Sequence, residues 1–300
     1  LEKGSFHLQD DRIEELKIPE YLIYWYGLKY RNFLFERKEE ATGYQKDSLD
    51  LAFDSYIRAY GYYHYFSKLL RKNQIKALVL PNDHVYLHRA ALYAAKGSKC
   101  KTVHIQHASV SEHFPNLDFD YALLDGLDSF QKYSAIGRIA GDVYLTGVSK
   151  FDHELEDSNI SLNTSKVGVC TNLIDDTSKV CSLLEELKKN EFEVIYRPHP
   201  ADFRPELITY CERNSIEISN SKEVSSMEFL KQVNCVIVGE SNIVLEAAFL
   251  NTMPISFDIV EENFNALQDN YGFISNGLVK RPGSLTELVQ LIKKGIDSDA

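Results

Sequence analysis

The 300-residue chain has no apolar run approaching the length of a membrane span, and no signal-peptide pattern opens it. It also lacks a surplus of basic residues. Lys and Arg number 33 against 44 Asp and Glu, a formal charge of -11. Broad, non-specific nucleic-acid binding needs a basic footprint and is excluded, although a local basic pocket for one nucleotide is not. The five cysteines (Cys100, Cys170, Cys181, Cys211 and Cys235) form no CxxC pair and are odd in number. That excludes a paired disulfide framework and fits reduced, mostly buried thiols in the cytoplasm. His104, His107 and His113 lie close in sequence, but no cysteine or compact acidic set joins them, so no metal site is expected. Internal repeats and low-complexity tracts are absent as well. The acidic doublets Asp10-Asp11, Glu39-Glu40 and Glu261-Glu262 read as solvated surface.

What is present is length and alternation. Three hundred residues are enough for two cores. The first 75 or so are rich in tyrosine and charge, and Tyr21 to Tyr26 reads as a strand. From Ser48 to Lys72 aromatic and apolar residues recur at helical spacing through Phe53, Tyr56, Tyr60, Tyr63 and Phe66. A helix packed on a core explains these tyrosines better than a sugar-stacking surface does. Short apolar strands then alternate with helices: strands at 77–80, 101–105, 121–124 and 143–147, with a helix over 84–96. A polar linker from Asp157 to Ser165 precedes a second alternating set. Its strands fall at 166–170, 194–197, 216–218, 235–238 and 253–257. Its helices fall near 178–189, 205–213, 226–232, 241–250 and 284–294. Such alternation means parallel sheets, and two sets mean two Rossmann-like domains facing across a cleft, residues 1–156 and 157–300.

Two stretches carry the chemistry. In Val194-Ile195-Tyr196-Arg197-Pro198-His199-Pro200 a buried strand is stopped by two prolines, each removing a ladder donor. His199 is thereby held on stiff backbone at a strand's carboxyl end, the edge where open α/β sheets bind ligands. Arg197 offers a planar fork and His199 a donor or a proton, a pairing that suits phosphate. In Gly239-Glu240-Ser241-Asn242 a buried strand breaks into the start of a helix, whose first amides suit an anion. Ser241 and Asn242 add side-chain donors. Glu246, about one turn further on, suits a ribose diol. Plain structural roles compete with both: Ser241 as an N-cap, Glu246 as a solvated helix residue.

These residues resemble the nucleotide half of a GT-B glycosyltransferase. The Arg-Pro-His-Pro segment, the Gly-Ser-Asn turn with its glutamate, and Met253-Pro254-Ile255 occur in that order. Val143 to Asp152 is similar to the strand and turn that close the first domain of such enzymes. The resemblance covers roughly residues 77 to 294. The histidine-proline motif is shared by bacterial surface-polysaccharide enzymes: sialyltransferases and Kdo transferases using CMP-sugars, and teichoic-acid-type enzymes using CDP-glycerol. Leu124-Asp125-Gly126 resembles the acidic-acidic-glycine motif of the sialyltransferases, with leucine in place of the first acid. Gln106-His107-Ala108 stands where the teichoic-type enzymes would have His-Gly. Gln106, Glu112 six residues on and the histidine-proline motif together are most similar to the capsule and O-antigen Kdo transferases.

The resemblance implies a metal-independent transfer of Kdo or sialic acid from its CMP donor to a capsule, O-antigen or lipopolysaccharide glycan. No cofactor is expected, and there is no DxD triplet of the kind that metal-dependent glycosyltransferases use. His199 and Arg197 would stabilise charge on the departing nucleotide, assisted by Gly239, Ser241 and Asn242. Glu112 is the candidate general base and His107 its rival, with Gln106 and Asp125 on the acceptor side. Asp175 and Asp176 follow the second set's first strand. One could act as a nucleophile in a retaining transfer, and an N-cap is the competing reading. Polyol-phosphate transfer from a CDP-alcohol and UDP-sugar 2-epimerisation are alternatives. So is a non-enzymatic nucleotide-binding subunit of a capsule complex. The expected partners are donor and acceptor, with other assembly proteins at the inner membrane.

Overall fold

In the computed structural model of the chain, residues 17–152, 165–202, 204–267 and 269–298 are described. The linker expected from Asp157 onward lies outside them except for Ser165, as does the Asp10-Asp11 doublet. Contacts divide the chain into two units. The first holds residues up to His107 with Phe114–Leu124 and Gly137–Leu145. The second holds Ala108–His113, Asp125–Ile136 and the chain from Thr146 on.

The first unit is built on four parallel strands lying in chain order: β1 (Ala77–Leu80), β2 (Lys101–Ile105), β3 (Tyr121–Leu124) and β4 (Asp142–Leu145). Helix α4 (Tyr86–Lys96) connects β1 to β2 and buries its alanine face, Ala90, Ala91, Ala94 and Ala95, with Leu92. Among the described residues three helices precede the sheet: α1 (Glu20–Leu28), α2 (Arg31–Glu40) and α3 (Tyr44–Lys72). The strand expected at Tyr21–Tyr26 is therefore a helix. Aromatic residues favour strands only where a pleated surface receives them. Here Ile23 and Gly27, four apart and so on one helix face, are buried. A Cβ on Gly27 would stand 1.9 Å from the Ile57 carbonyl oxygen, and one on Gly61 2.0 Å from that of Ile23. The two helices meet backbone to backbone, which only glycine permits. Helix α3 starts earlier than the aromatic spacing predicts and breaks its helical geometry at Ala52 (φ -124°, ψ 28°).

The second unit has five parallel strands: β5 (Val167–Cys170), β6 (Val194–Arg197), β7 (Glu217–Ile218), β8 (Cys235–Val238) and β9 (Met253–Ser256). Their order is β7-β6-β5-β8-β9. Every residue of β5, β6 and β8 is buried, as in a sheet covered on both faces. Side chains alternate between two cores. Val167, Val169, Tyr196 and Ile237 join Leu183, Leu184 and Leu187 of α6 (Thr177–Lys189) on one side. Cys170, Ile195, Val236 and Val238 join Phe229 and Val244 on the other. Among the described residues the further helices of this unit include α7 (Pro205–Arg213), α8 (Ser226–Leu230), α9 (Ile243–Phe249) and α10 (Leu285–Ser298). Helix α5 (Leu127–Ile136), absent from the sequence reading, belongs to this unit although it lies between β3 and β4 in the chain. Helix α9 is shorter at both ends than the 241–250 expected. The cysteines are unpaired, four of them buried and Cys181 half-buried.

Candidate functional site

The order of the second sheet marks one place on it. The chain starts in the middle at β5, runs outward through β6 and β7, then returns to lay β8 and β9 on the other side. That is the Rossmann order, and its direction reverses between β5 and β8. Ligands of open α/β sheets lie outside the carboxyl ends at such a reversal. The first sheet, in simple chain order, has no reversal among its described strands. At the reversal stand the loops beginning at Thr171 and at Gly239, held together by the Asn172 side-chain amide, which donates to the Glu240 carbonyl at 3.1 Å. The Gly239, Ser241, Asn242 and Glu246 set is therefore gathered at one strand's carboxyl end, with Asp175 and Asp176 on the adjoining loop and His199 beyond β6.

The environments of these residues differ widely. His199 is exposed, and its Nδ1 accepts the Ala201 amide at 3.1 Å. With that nitrogen accepting, the neutral ring carries its proton on Nε2, which is left as a donor. Arg197 is turned into the core. Its guanidinium donates to the Ser219 hydroxyl and the Val224 carbonyl, both at 2.9 Å, and lies over the Phe229 ring. Burial lowers its pKa. The expected open fork for phosphate is not what this geometry presents, because the protein's own acceptors occupy the fork. Glu246, half-buried on α9, stands close enough for its charge to raise the pKa of Arg197 and of the buried Cys170. Ser241 Oγ accepts the Ile243 amide at 3.4 Å, but the N-cap of α9 is Asn242, so Ser241 stands one residue ahead of the N-cap position expected for it. Asn242 Oδ1 accepts from the Ser109 amide at 3.3 Å.

The acidic pair divides. Asp176 caps α6, its Oδ1 accepting the Lys179 amide at 2.8 Å, and it is held below the usual carboxylate range by Ser178 and that amide. Asp175 is fully buried. Its Oδ2 accepts the Asn172 amide at 2.6 Å, while Oδ1 has no partner and faces Gly239, where a Cβ would come within 2.5 Å of it. Burial raises its pKa to about 7. A carboxylate so enclosed is not placed as a nucleophile on a sugar.

On the expected acceptor side, Gln106 and His107 belong to the first unit, and the Gln106 amide donates to the Leu123 carbonyl at 3.0 Å. Glu112 is exposed, with the ring of His113 3.9 Å away. Its loop, Ala108–His113, packs with the second unit: besides the Ser109–Asn242 bond, Ser111 Oγ bonds Asn270 Oδ1 at 2.7 Å. Asp125 is half-buried in the same unit. His104 is buried in β2, Nδ1 towards the Leu80 carbonyl, and burial lowers its pKa. Sequence reasoning passed over Asn172, Glu240 and Arg204. Glu240 is buried and accepts the amides of Asp269 and Tyr271. Arg204 ties the 172–177 loop by donating to the carbonyls of Asn172 and Asp175 while pairing with Asp202. A carboxylate directly after a buried strand and glycine was the available signal for Glu240. For Arg204 there was none.

No known family model and no curated protein sequence matches the chain. Solved structures do. A UDP-N-acetylglucosamine 2-epimerase from Rickettsia bellii superposes with a TM-score of 0.53 at 14% identity, over 94% of this chain and 86% of that one. A UDP-GlcNAc 2-epimerase from Neisseria meningitidis bound to UDP-GlcNAc gives 0.54 at 13%, over 91% and 89%. The protein Os79 from O. sativa, in complex with UDP, gives 0.51 at 11%, over 82% and 75%. The chain has the α/β fold of the GT-B class, with two Rossmann-like units.

Proposed function

We propose that the protein is a nucleotide-sugar-dependent glycosyltransferase whose nucleotide lies at the β5–β8 reversal. The observation that carries this is the convergence there of the Asn172 loop and the Gly239–Asn242 turn, tied by one hydrogen bond. Two similar structures that hold UDP-GlcNAc or UDP support a sugar nucleotide as the ligand class. The donor we favour is CMP-linked Kdo or sialic acid, on the likeness of the histidine-proline and Gly-Ser-Asn stretches, and the acceptor a bacterial surface glycan. The work would be done in the cytoplasm, beside assembly proteins at the inner membrane.

In this reading the His199 Nε2–H donates to the donor phosphate as the bond from the anomeric carbon to the nucleotide breaks. Ser241 and the neighbouring amides assist, and Glu246 meets the ribose. Arg197 positions rather than binds, tying β6 to the 219–224 loop. Glu112 takes the proton of the acceptor hydroxyl as that oxygen attacks the anomeric carbon. UDP-sugar 2-epimerisation is the second reading, favoured by the epimerases among the similar structures.

A thermal-shift panel with CMP, CDP, UDP, GDP and ADP tests the proposal. A nucleotide at a hundredfold excess over its Kd adds about 2.7 kcal/mol of stability. Stabilisation by CMP, lost in Glu246→Ala, is the expected result. His199→Ala should then keep its melting temperature and lose turnover. CDP would indicate polyol-phosphate transfer. UDP, with conversion of UDP-GlcNAc in the absence of acceptor, would establish the epimerase instead. No response to any of the five would overturn a nucleotide site.

A further inference from the structure

The chain holds one tryptophan, Trp25, and 57% of its surface is open to solvent. It lies on α1, whose nine residues carry a single charge, Glu20. Of these nine, Ile23 and Gly27 are the buried ones, and they face α3. Tyr21, four residues before Trp25 and so on the same helix face, is 74% exposed. A helix that is apolar all round is ordinarily covered on all sides. Helix α1 is covered on one. At about 1.5 Å per residue it is also far too short to cross a bilayer, and an apolar helix of that length can only lie in the interface.

Its surroundings are cationic. Residues 21–35 contain Lys29 and Arg31 and no carboxylate, and residues 55–82 contain five cations and again no carboxylate, in a chain of net charge -11. Lys29 Nζ lies 4.6 Å from the Trp25 ring centroid, and Lys68 Nζ 5.0 Å from that of Tyr26. Arg71 and Lys72, three and four residues after Lys68, share its helix face and are exposed. His64, 4.7 Å from the Tyr26 ring, has its pKa lowered by burial and further by the charges of Lys68 and Lys29. Exposed tryptophan and tyrosine interleaved with lysine and arginine suit the boundary between headgroups and acyl chains. A field of one sign suits an anionic plane. A second copy would bring the same cations and be repelled, and nucleic acid would leave the apolar side of α1 uncovered.

We propose that this face of the first unit seats directly on an anionic lipid surface. Trp25 and Tyr21 enter between the headgroups, and Lys29, Lys68, Arg71 and Lys72 meet the lipid phosphates. The proposal draws on the first unit alone and does not rest on the glycosyltransferase reading.

Because Trp25 is the sole tryptophan, its fluorescence reports on this face without labelling. The whole chain is titrated with vesicles of phosphatidylglycerol and phosphatidylcholine in equal parts, and with vesicles of phosphatidylcholine alone. With the anionic vesicles the emission should move to the blue and be quenched by lipids brominated on the acyl chain. The binding should weaken as salt is raised. Lys68→Gln with Arg71→Gln, which removes two exposed cations, should weaken it roughly thirtyfold. Trp25→Ala, followed by vesicle sedimentation, should weaken it about tenfold or more. Both variants should keep the melting temperature of the unsubstituted protein. An unshifted emission with anionic vesicles at low salt overturns the proposal, as does equal binding to phosphatidylcholine alone. A blue shift that grows with protein concentration in the absence of lipid would make the face an interface between copies instead. A shift produced by an oligonucleotide and not by vesicles would assign it to nucleic acid.

Discussion

Asp175 is a carboxyl group that the fold keeps from water and only half supplies with donors, and its pKa of about 7 follows from that burial. Between 3.8 and about 7 the folded chain holds a proton that the unfolded chain has released, so stability falls as pH rises across that window. Above it the charged form costs on the order of 4 kcal/mol. Asp175→Asn removes the titration. Its melting temperature, compared with the unsubstituted protein, should stand highest at pH 8, and the gap should shrink by more than half at pH 5. A gap that does not change with pH would mean that another group holds the proton. At this scale the sequence was legible where the partner is local. Asp176 and the Lys179 amide it caps are three residues apart, so an N-cap could be read directly. The inward turn of Arg197 could not, because Ser219 and Val224 come from 22 and 27 residues further on.

At the scale of elements, strands closed by glycine or proline stood out from the sequence, since four apolar residues followed by Pro81 or Gly239, or three and an arginine followed by Pro198, leave little choice of structure. The order of those strands is a tertiary fact, and with it the β5–β8 reversal that locates the site. The failure at Tyr21–Tyr26 has a physical cause. Its aromatic run fits a strand locally, and only the fit of Gly27 and Gly61 against the opposite backbone makes it a helix. That contact predicts an unusual response. Alanine in a helix interior normally stabilises relative to glycine. Gly61→Ala should instead cost roughly 1–3 kcal/mol in a denaturant melt, because α1 must move away from α3. Gly126→Ala, whose Cβ would meet nothing within 4 Å, is the control and should change little. Equal stability of the two variants would mean that α1 does not pack on α3 as described.

At the scale of the molecule, two alternating sets of strands and helices are enough to announce two units. What the order of residues conceals is that the second unit reclaims parts of the first half of the chain. Val110 and Tyr133 are buried there. Ser109 and Ser111 bond Asn242 and Asn270, and Lys132 Nζ donates to the Tyr271 carbonyl at 2.7 Å. Hydrogen bonds of this kind contribute about 1 kcal/mol each, so the three alone are worth roughly 2–4 kcal/mol, and the two buried side chains add to that. A chain beginning at Thr146 retains all five strands of the second sheet and none of these contacts. It should therefore unfold at lower denaturant and bind a hydrophobic dye at its uncovered surface. A peptide of residues 108–136 added in trans should reverse both effects, and a scrambled peptide should not. Because Asn242 sits in the proposed nucleotide turn, the same peptide should also restore nucleotide affinity to the shortened chain. Full stability and affinity without the peptide would mean that these segments lie on the second unit without supporting its site.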